Sequence, residues 1–259
     1  MVDAICSAGC AEYRIRVIMN KASGNSSETK QRRPLLEVIA CSVADAIAAE
    51  AGGADRLEII SHFEVGGLTP PLELVREITA AVRIPVRVML RESENFQVDD
   101  DAERRRLWEL AAEMDALRTD GIVCGFLRDG GIDHGLLARV LACAPHTKAT
   151  FHRAFEELRD PIAAISQLKK YPQADRILTS GGSGNLRQKV DCLDRCARAA
   201  GPEITILAGG GMTDDFIREL REKTSIREFH VGTFVRVPAA ASGAVSAERV
   251  RDLINACLS

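Results

Sequence analysis

Two glutamates sit alone among aliphatic residues at equivalent places in successive apolar runs: Glu37 in LLEVI (35–39) and Glu58 in RLEII (56–60). A strand sends alternate side chains to opposite faces. If the aliphatic neighbours of each glutamate pack against helices, both carboxylates point the other way, into a shared interior. A buried carboxylate is costly unless it is paired or hydrogen-bonded, so partners are expected at the ends of other runs. Arg91 follows PVRVML (85–90), His152 and Arg153 follow KATF (148–151), and His230 lies in EFHV (228–231). Carboxylates, imidazoles and guanidinium groups gathered at one place can do general acid–base work on a small phosphorylated or carboxylated metabolite. Glu37 or Glu58 would be the base, His152 the acid, and Arg91 and Arg153 clamps for negative charge, with His230 completing the candidate catalytic set. The competing reading is a structural polar network in which the arginines merely neutralise the glutamates.

A second constellation is rich in glycine. TSGGSGN (179–185), AGGGM (208–212) and VGTFVR (231–236) each follow or close an apolar run. Glycine lets backbone N–H groups approach an anion, and a following helix N-terminus adds positive partial charge. Ser180, Gly181, Gly209, Gly210, Gly211, Gly232 and Thr233 are therefore candidate anion-binding residues, although tight turns need glycine anyway. Cys41 and Cys124, near the ends of runs, are the candidate soft-metal ligands, and packing is their other ordinary use. Cys192 and Cys196 are four apart, and two thiols alone make an incomplete metal site. His134 and His146 read as surface residues, while His62 is open to either reading. Lys148 starts its run and is expected at the far end from the site, which weakens a Schiff-base lysine. No G-x-S-x-G elbow, Walker loop or H-E-x-x-H occurs.

The elements that must position these residues alternate along the chain. Besides the runs above, GIVCG (121–125), RILT (176–179) and ITILA (204–208) complete a set of eight strand candidates from residue 35 onward. Strands separated by helices imply parallel βαβ units, and eight of them close into a (β/α)8 TIM barrel, with an open doubly wound sheet as the alternative. In such a barrel the site lies at the carboxyl ends of the strands. Helix starts are legible at Ser42 with Asp45, Thr69-Pro70, Asp99-Asp100-Asp101, Asp133, Asp160-Pro161, Asn185, Thr213 and Ser246. Leu107, Leu110, Met114 and Leu117 recur at helical spacing and should face the sheet.

A chain of 259 residues is ordinary for one such barrel, placed here at residues 34–259 behind a polar N-terminal extension, 1–33, expected to be flexible. Met19 is an alternative start. A net charge of −3 and 4% aromatics argue against nucleic acid as a partner. No apolar run approaches the ~20 residues of a membrane span, and the N-terminus lacks a signal-peptide core. Eight cysteines scattered without a framework suggest reduced thiols and a cytoplasmic setting.

The segments LLEV (35–38), GGADRLEI (52–59), GGLTP (66–70), IPVRVMLR (84–91), DGIVCGFL (120–127), TFHRAF (150–155), RILTSGG (176–182), AGGG (208–211) and EFH (228–230) resemble the CutC family, in family order across nearly the whole chain after residue 34. The resemblance implies a barrel fold, a cytoplasmic location, frequent self-association and a role in copper binding or copper homeostasis. It also implies that Glu37, Glu58, Arg91, His152, Arg153 and His230 form the family's polar mouth. Departures bear on the copper role. Ile39 and Ile60 stand where the family often has cysteine, and RESENFQV (91–98) replaces the usual loop after the third strand. Val231-Gly232 follows EFH where a serine is usual, which gives the last loop a more phosphate-like character. A small anionic molecule, copper or a divalent cation are thus the expected ligands.

Overall fold

The computed structural model describes residues 33–258. The extension expected over 1–33 lies outside the described residues except for Arg33, which donates to Asp55 and to the Gly53 carbonyl. Eight strands form a closed parallel barrel: β1 (Leu35–Ala40), β2 (Arg56–Ile59), β3 (Val86–Met89), β4 (Gly121–Cys124), β5 (Lys148–Phe151), β6 (Ala174–Thr179), β7 (Thr205–Gly209) and β8 (Glu228–Val231). Each pairs with the next, and β8 closes on β1 through Glu37 opposite His230. The helices outside are α1 (Val43–Gly52), α2 (Leu72–Ala81), α3 (Asp101–Ala116), α4 (His134–Cys143), α5 (Pro161–Leu168), α6 (Leu186–Ala200), α7 (Asp214–Lys223) and α8 (Ala247–Cys257). This is the (β/α)8 architecture that the alternating runs predict, and no helix among the described residues is long and apolar enough to cross a membrane.

Capping fixes where most helices begin. The side chains of Ser42, Asp100, Asp133, Asp160, Asn185, Thr213 and Ser246 each accept from a backbone amide of the first turn, satisfying a donor that the helix itself cannot. Asn185 and Gln188 complete a reciprocal capping box. The start read at Thr69-Pro70 needs correction. Helix α2 follows Pro71, and the Thr69 hydroxyl instead donates to the Arg91 carbonyl at 3.0 Å and accepts from the Arg91 amide at 2.8 Å. Thr69 thereby straps the loop after β2 to the end of β3.

Strand alternation divides the apolar residues as expected. Leu36, Val38 and Ala40 of β1, Leu57 and Ile59 of β2, and Val86 and Val88 of β3 pack outward against buried helix residues that include Ala49, Val75, Ile78, Leu107 and Met114. Leu110 and Leu117 are partly buried beside them. A separate small cluster of Ile39, Ile60, Met89 and Val123, with Cys41 and Phe63 against it, comes from the opposite strand face and fills the upper lumen.

Candidate active site

The lower lumen is ionic rather than aliphatic. Arg56 donates to Glu37 and, at 3.1 Å, to Glu228. Arg176 holds the same Glu228 with two bonds of 2.6 and 2.9 Å and also reaches Asp175. Arg87, wholly buried, grips Asp175 with two bonds of 2.8 Å, Asp120 at 2.9 Å and the Thr150 hydroxyl at 2.7 Å. Pairing of Ala149 with Ala174 and of Thr150 with Arg176 leaves Asp175 as an extra residue in β6. Such a bulge re-aims a side chain, and it is how consecutive residues 175 and 176 both join the network. Sharing charges in this way offsets the desolvation that burying them costs.

At the top of this network stands an imidazole between two carboxylates. His230 Nδ1 lies 2.7 Å from Glu37 Oε1, and its Nε2 lies 3.5 Å from Glu58 Oε2. Carboxylates facing both ring nitrogens assign it as an imidazolium. Burial alone would lower its pKa, but Glu58 and Glu37 raise it. Burial likewise works against an ionised Glu37, yet Arg56 and His230 hold that carboxyl far below the usual carboxylate range. Within this group three guanidinium ions and His230 match Glu37, Glu228, Asp175 and Asp120, while exposed Lys148 lies 3.9 Å from Asp120 at the base. Glu58 is the surplus acid. It is 2% exposed, its Oε1 has no hydrogen-bond partner, and burial pushes its pKa up to about 7 against the pull of His230.

Glu58 and His230 form the floor of a cavity of about 510 Å³ at the carboxyl ends of the strands, a size that suits a small molecule. His152, from the end of β5, lies in its wall. The Nδ1 atom of His152 accepts from the Ala154 amide at 3.2 Å, so the ring proton belongs on Nε2. That Nε2 is buried and unpartnered. Burial and then the Arg91 charge push the pKa of His152 down to about 3, which keeps the ring neutral. Gly125 makes room for this imidazole, since a Cβ there would come within 2.6 Å of Nδ1. Arg91 also borders the cavity, stacked 4.7 Å over Phe96. Its terminal nitrogens are committed to the carbonyls of Val65, Gly67 and Glu94, and only its Nε is left over. Arg153 stands half-exposed at the rim and pairs with Glu156.

All six candidate catalytic residues thus reach the lumen or its mouth, but in two layers. Glu58, Arg91, His152, Arg153 and His230 border the cavity, whereas Glu37 lies beneath, bound to Arg56 and His230. The glycine-rich loops divide similarly. Gly210, Gly211, Gly232 and Thr233 border the cavity. The Ser180 amide already donates to Glu156 at 2.7 Å, and the Gly181 amide to the Thr179 hydroxyl at 3.1 Å. Gly209 and Gly232 have packing reasons of their own: a Cβ at Gly209 would sit 2.6 Å from Leu178, and one at Gly232 would sit 2.5 Å from Phe63.

The two candidate metal cysteines do not share a site. Cys41 packs against the lumen cluster and lies 3.6 Å from Arg236 Nη2. Cys124 is buried in the outer core, where burial pushes its thiol up to about 12. Among the described residues, no group of three or more His, Cys, Asp or Glu side chains is arranged to hold a metal ion. His134 pairs with Tyr171 and Gln167, His146 with Asp115, and His62 with Glu64, all on the surface.

Sequence reasoning missed Arg56, Arg87, Arg176 and Glu228, and it missed Glu156 at the mouth. Arg56 was within reach, because it stands two residues before Glu58 and so shares its face. Arg87 occupies the corresponding face of β3, two residues before Met89.

A parallel eight-stranded barrel with its ionisable groups and a molecule-sized cavity at the carboxyl end belongs to the class of (β/α)8 proteins with a mouth site. Within that class, this chain belongs to the CutC family, whose family model matches residues 34–235. The human copper homeostasis protein cutC homolog is 34% identical over 226 residues, 81% of each chain. A CutC family protein of Mesorhizobium japonicum is 34% identical over 213 residues, 82% of each. Among solved structures, the putative copper homeostasis protein CutC from Streptococcus agalactiae superposes with a TM-score of 0.71 at 26% identity, covering 77% of this chain and 98% of that one. The thiamine phosphate pyrophosphorylase of Pyrococcus furiosus, at a TM-score of 0.55 and 16% identity, shares the fold.

Proposed function

We propose that this chain is an enzyme that moves a proton on a small phosphorylated or carboxylated metabolite at the barrel mouth. Glu58 is the general base and acid, His152 is a neutral hydrogen-bond donor, and Arg91, with Arg153 at the rim, attracts the anionic group. The observation that carries this reading is the buried, unpartnered Oε1 of Glu58 beneath the cavity. A structural network leaves no reason for a surplus carboxyl there, whereas a catalytic acid–base group needs a pKa near working pH and a free oxygen. His230 and Glu37 act through Glu58: the imidazolium steadies its ionised form, and Glu37 with Arg56 fixes the imidazolium.

The copper role carried by the names of the relatives finds little support in the donor set of this chain. Cu(I) prefers paired soft sulfur ligands, and Cys41 and Cys124 lie on opposite faces of the sheet. The cysteines among the described residues are unbridged, which supports a reducing, cytoplasmic setting.

The test is to incubate wild-type protein and Glu58→Gln with mixed small phosphorylated and carboxylated metabolites and follow both by NMR. Wild type should convert at least one compound, and Glu58→Gln should do so roughly a hundredfold more slowly or worse. Equal conversion by both proteins would overturn the assignment. Stoichiometric Cu(I) binding that disappears in Cys41→Ser would restore the copper-thiolate reading.

A further inference from the structure

We infer that the proton moved at this mouth comes from a carbon next to a carbonyl, in a small 2-hydroxy or 2-keto compound that ends in a phosphate or carboxylate. The inference rests on the acid–base reading above and specifies its substrate.

Three features of the cavity point to this chemistry. The first is a pair of residues bordering the cavity that each carry a buried, unpartnered polar atom, Glu58 with its Oε1 and His152 with its Nε2. One accepts a proton, and the other can only donate a hydrogen bond, because its Nδ1 is occupied by the Ala154 amide. A neutral imidazole N–H suits an oxygen that passes from carbonyl to enolate, since the donor is there before the charge develops. The low pKa of His152, about 3, and the high one of Glu58, about 7, agree with these roles.

The second feature is how little free positive charge borders the space. The terminal nitrogens of Arg91 meet only backbone carbonyls, which leave its charge uncancelled, and its Nε is unpartnered, whereas Arg153 at the rim is already paired with Glu156, so Arg91 is the cation left for a ligand. One cation suits a single anionic end. Phosphoryl transfer, which spreads charge over several oxygens, calls for more. The third is the apolar surround of Phe63, Met89, Phe96 and Leu178. It limits water around a carbanion-like intermediate and raises the strength of each hydrogen bond made there.

The step balances without any co-reactant. Glu58 Oε1 takes the proton from the α-carbon, and the C–H electron pair becomes the carbon–carbon π bond. The carbonyl π pair moves onto oxygen, where the His152 Nε2–H holds it. Glu58 then delivers the proton, on the same face, to the neighbouring former carbonyl carbon as the hydroxyl proton passes between the two oxygens. The outcome is isomerisation.

The test uses two short hydroxamates, planar mimics of the enediolate, one ending in phosphate and one in carboxylate. Each is titrated calorimetrically against the saturated alcohol with the same anion. One hydroxamate should bind roughly a hundredfold tighter than its alcohol, as a mimic of the high-energy species does. His152→Ala should erase that preference, and His152→Gln, which keeps a side-chain N–H, should restore part of it while reporting on folding. A hydroxamate and alcohol that bind equally would overturn the inference. So would a failure of every probe to bind, and the acid–base reading would then stand or fall on its own conversion assay.

Discussion

Ionising Glu58 costs the folded protein what it does not cost the unfolded chain. Its folded pKa of about 7 lies above the ordinary glutamate value of 4.5. Below 4.5 the group is neutral in both states and contributes nothing. Between pH 4.5 and 7 the unfolded state ionises first, so stability falls as pH rises and then levels off. The full penalty is on the order of 3 kcal/mol. Glu58→Gln should therefore raise the melting temperature at pH 8 and leave it little changed near pH 4.5, as thermal unfolding across that range would show. His152 acts in the opposite direction. Its folded pKa, about 3, lies below the ordinary histidine value of 6.5, so its neutral burial costs stability as pH falls through that window. His152→Gln should accordingly lose less stability than wild type between pH 6.5 and 4. A stabilising change at Glu58 that abolishes conversion would have the character of a site kept strained for function.

The loops at the strand ends depend on small residues for a steric reason. Gly125 leaves the space His152 occupies, and Gly232 leaves the space of Phe63. Gly125→Ala should displace the imidazole and remove the preference for a hydroxamate over its alcohol, while circular dichroism still reports a folded barrel. The elements themselves were legible in the sequence. Seven helix starts follow from capping residues, because a cap is a local bond between neighbours in the chain. Thr69 failed as a cap because its hydroxyl found Arg91, a partner 22 residues away, and no local rule sees that contact. The carboxylates Glu37 and Glu58 were legible as lone acids among aliphatic residues. The commitment of the Ser180 amide to Glu156 was not, because it depends on how a 3₁₀ turn after β5 packs beside the end of β6.

The molecule as a whole is held by a lumen that ties distant strands together through charge. Arg56 and Glu228 are 172 residues apart in sequence and meet only because β8 closes on β1. The eight apolar runs announce the barrel, but a barrel lumen is ordinarily aliphatic, so the ionic network stays hidden until closure sets the register. Arg87→Met would leave Asp175 with Arg176 alone and Asp120 with only the distant Lys148, a loss of about 3 kcal/mol and a fall in melting temperature on the order of 10 °C. Hydroxamate binding by the surviving fold should be unchanged, because Arg87 lies below the cavity. This separates the role of the lower lumen in stability from that of the mouth in chemistry.

Glu58 and His152 are tuned in opposite directions around one cavity. Site-resolved NMR titration of the Glu58 carboxyl and the His152 ring reads both groups in one experiment. Glu58 should show a midpoint of about 7, and the His152 ring should stay neutral well into acid, down to about 3. A Glu58 carboxyl titrating in the ordinary carboxylate range, or a His152 ring that gains its proton near neutrality, would contradict this opposite tuning.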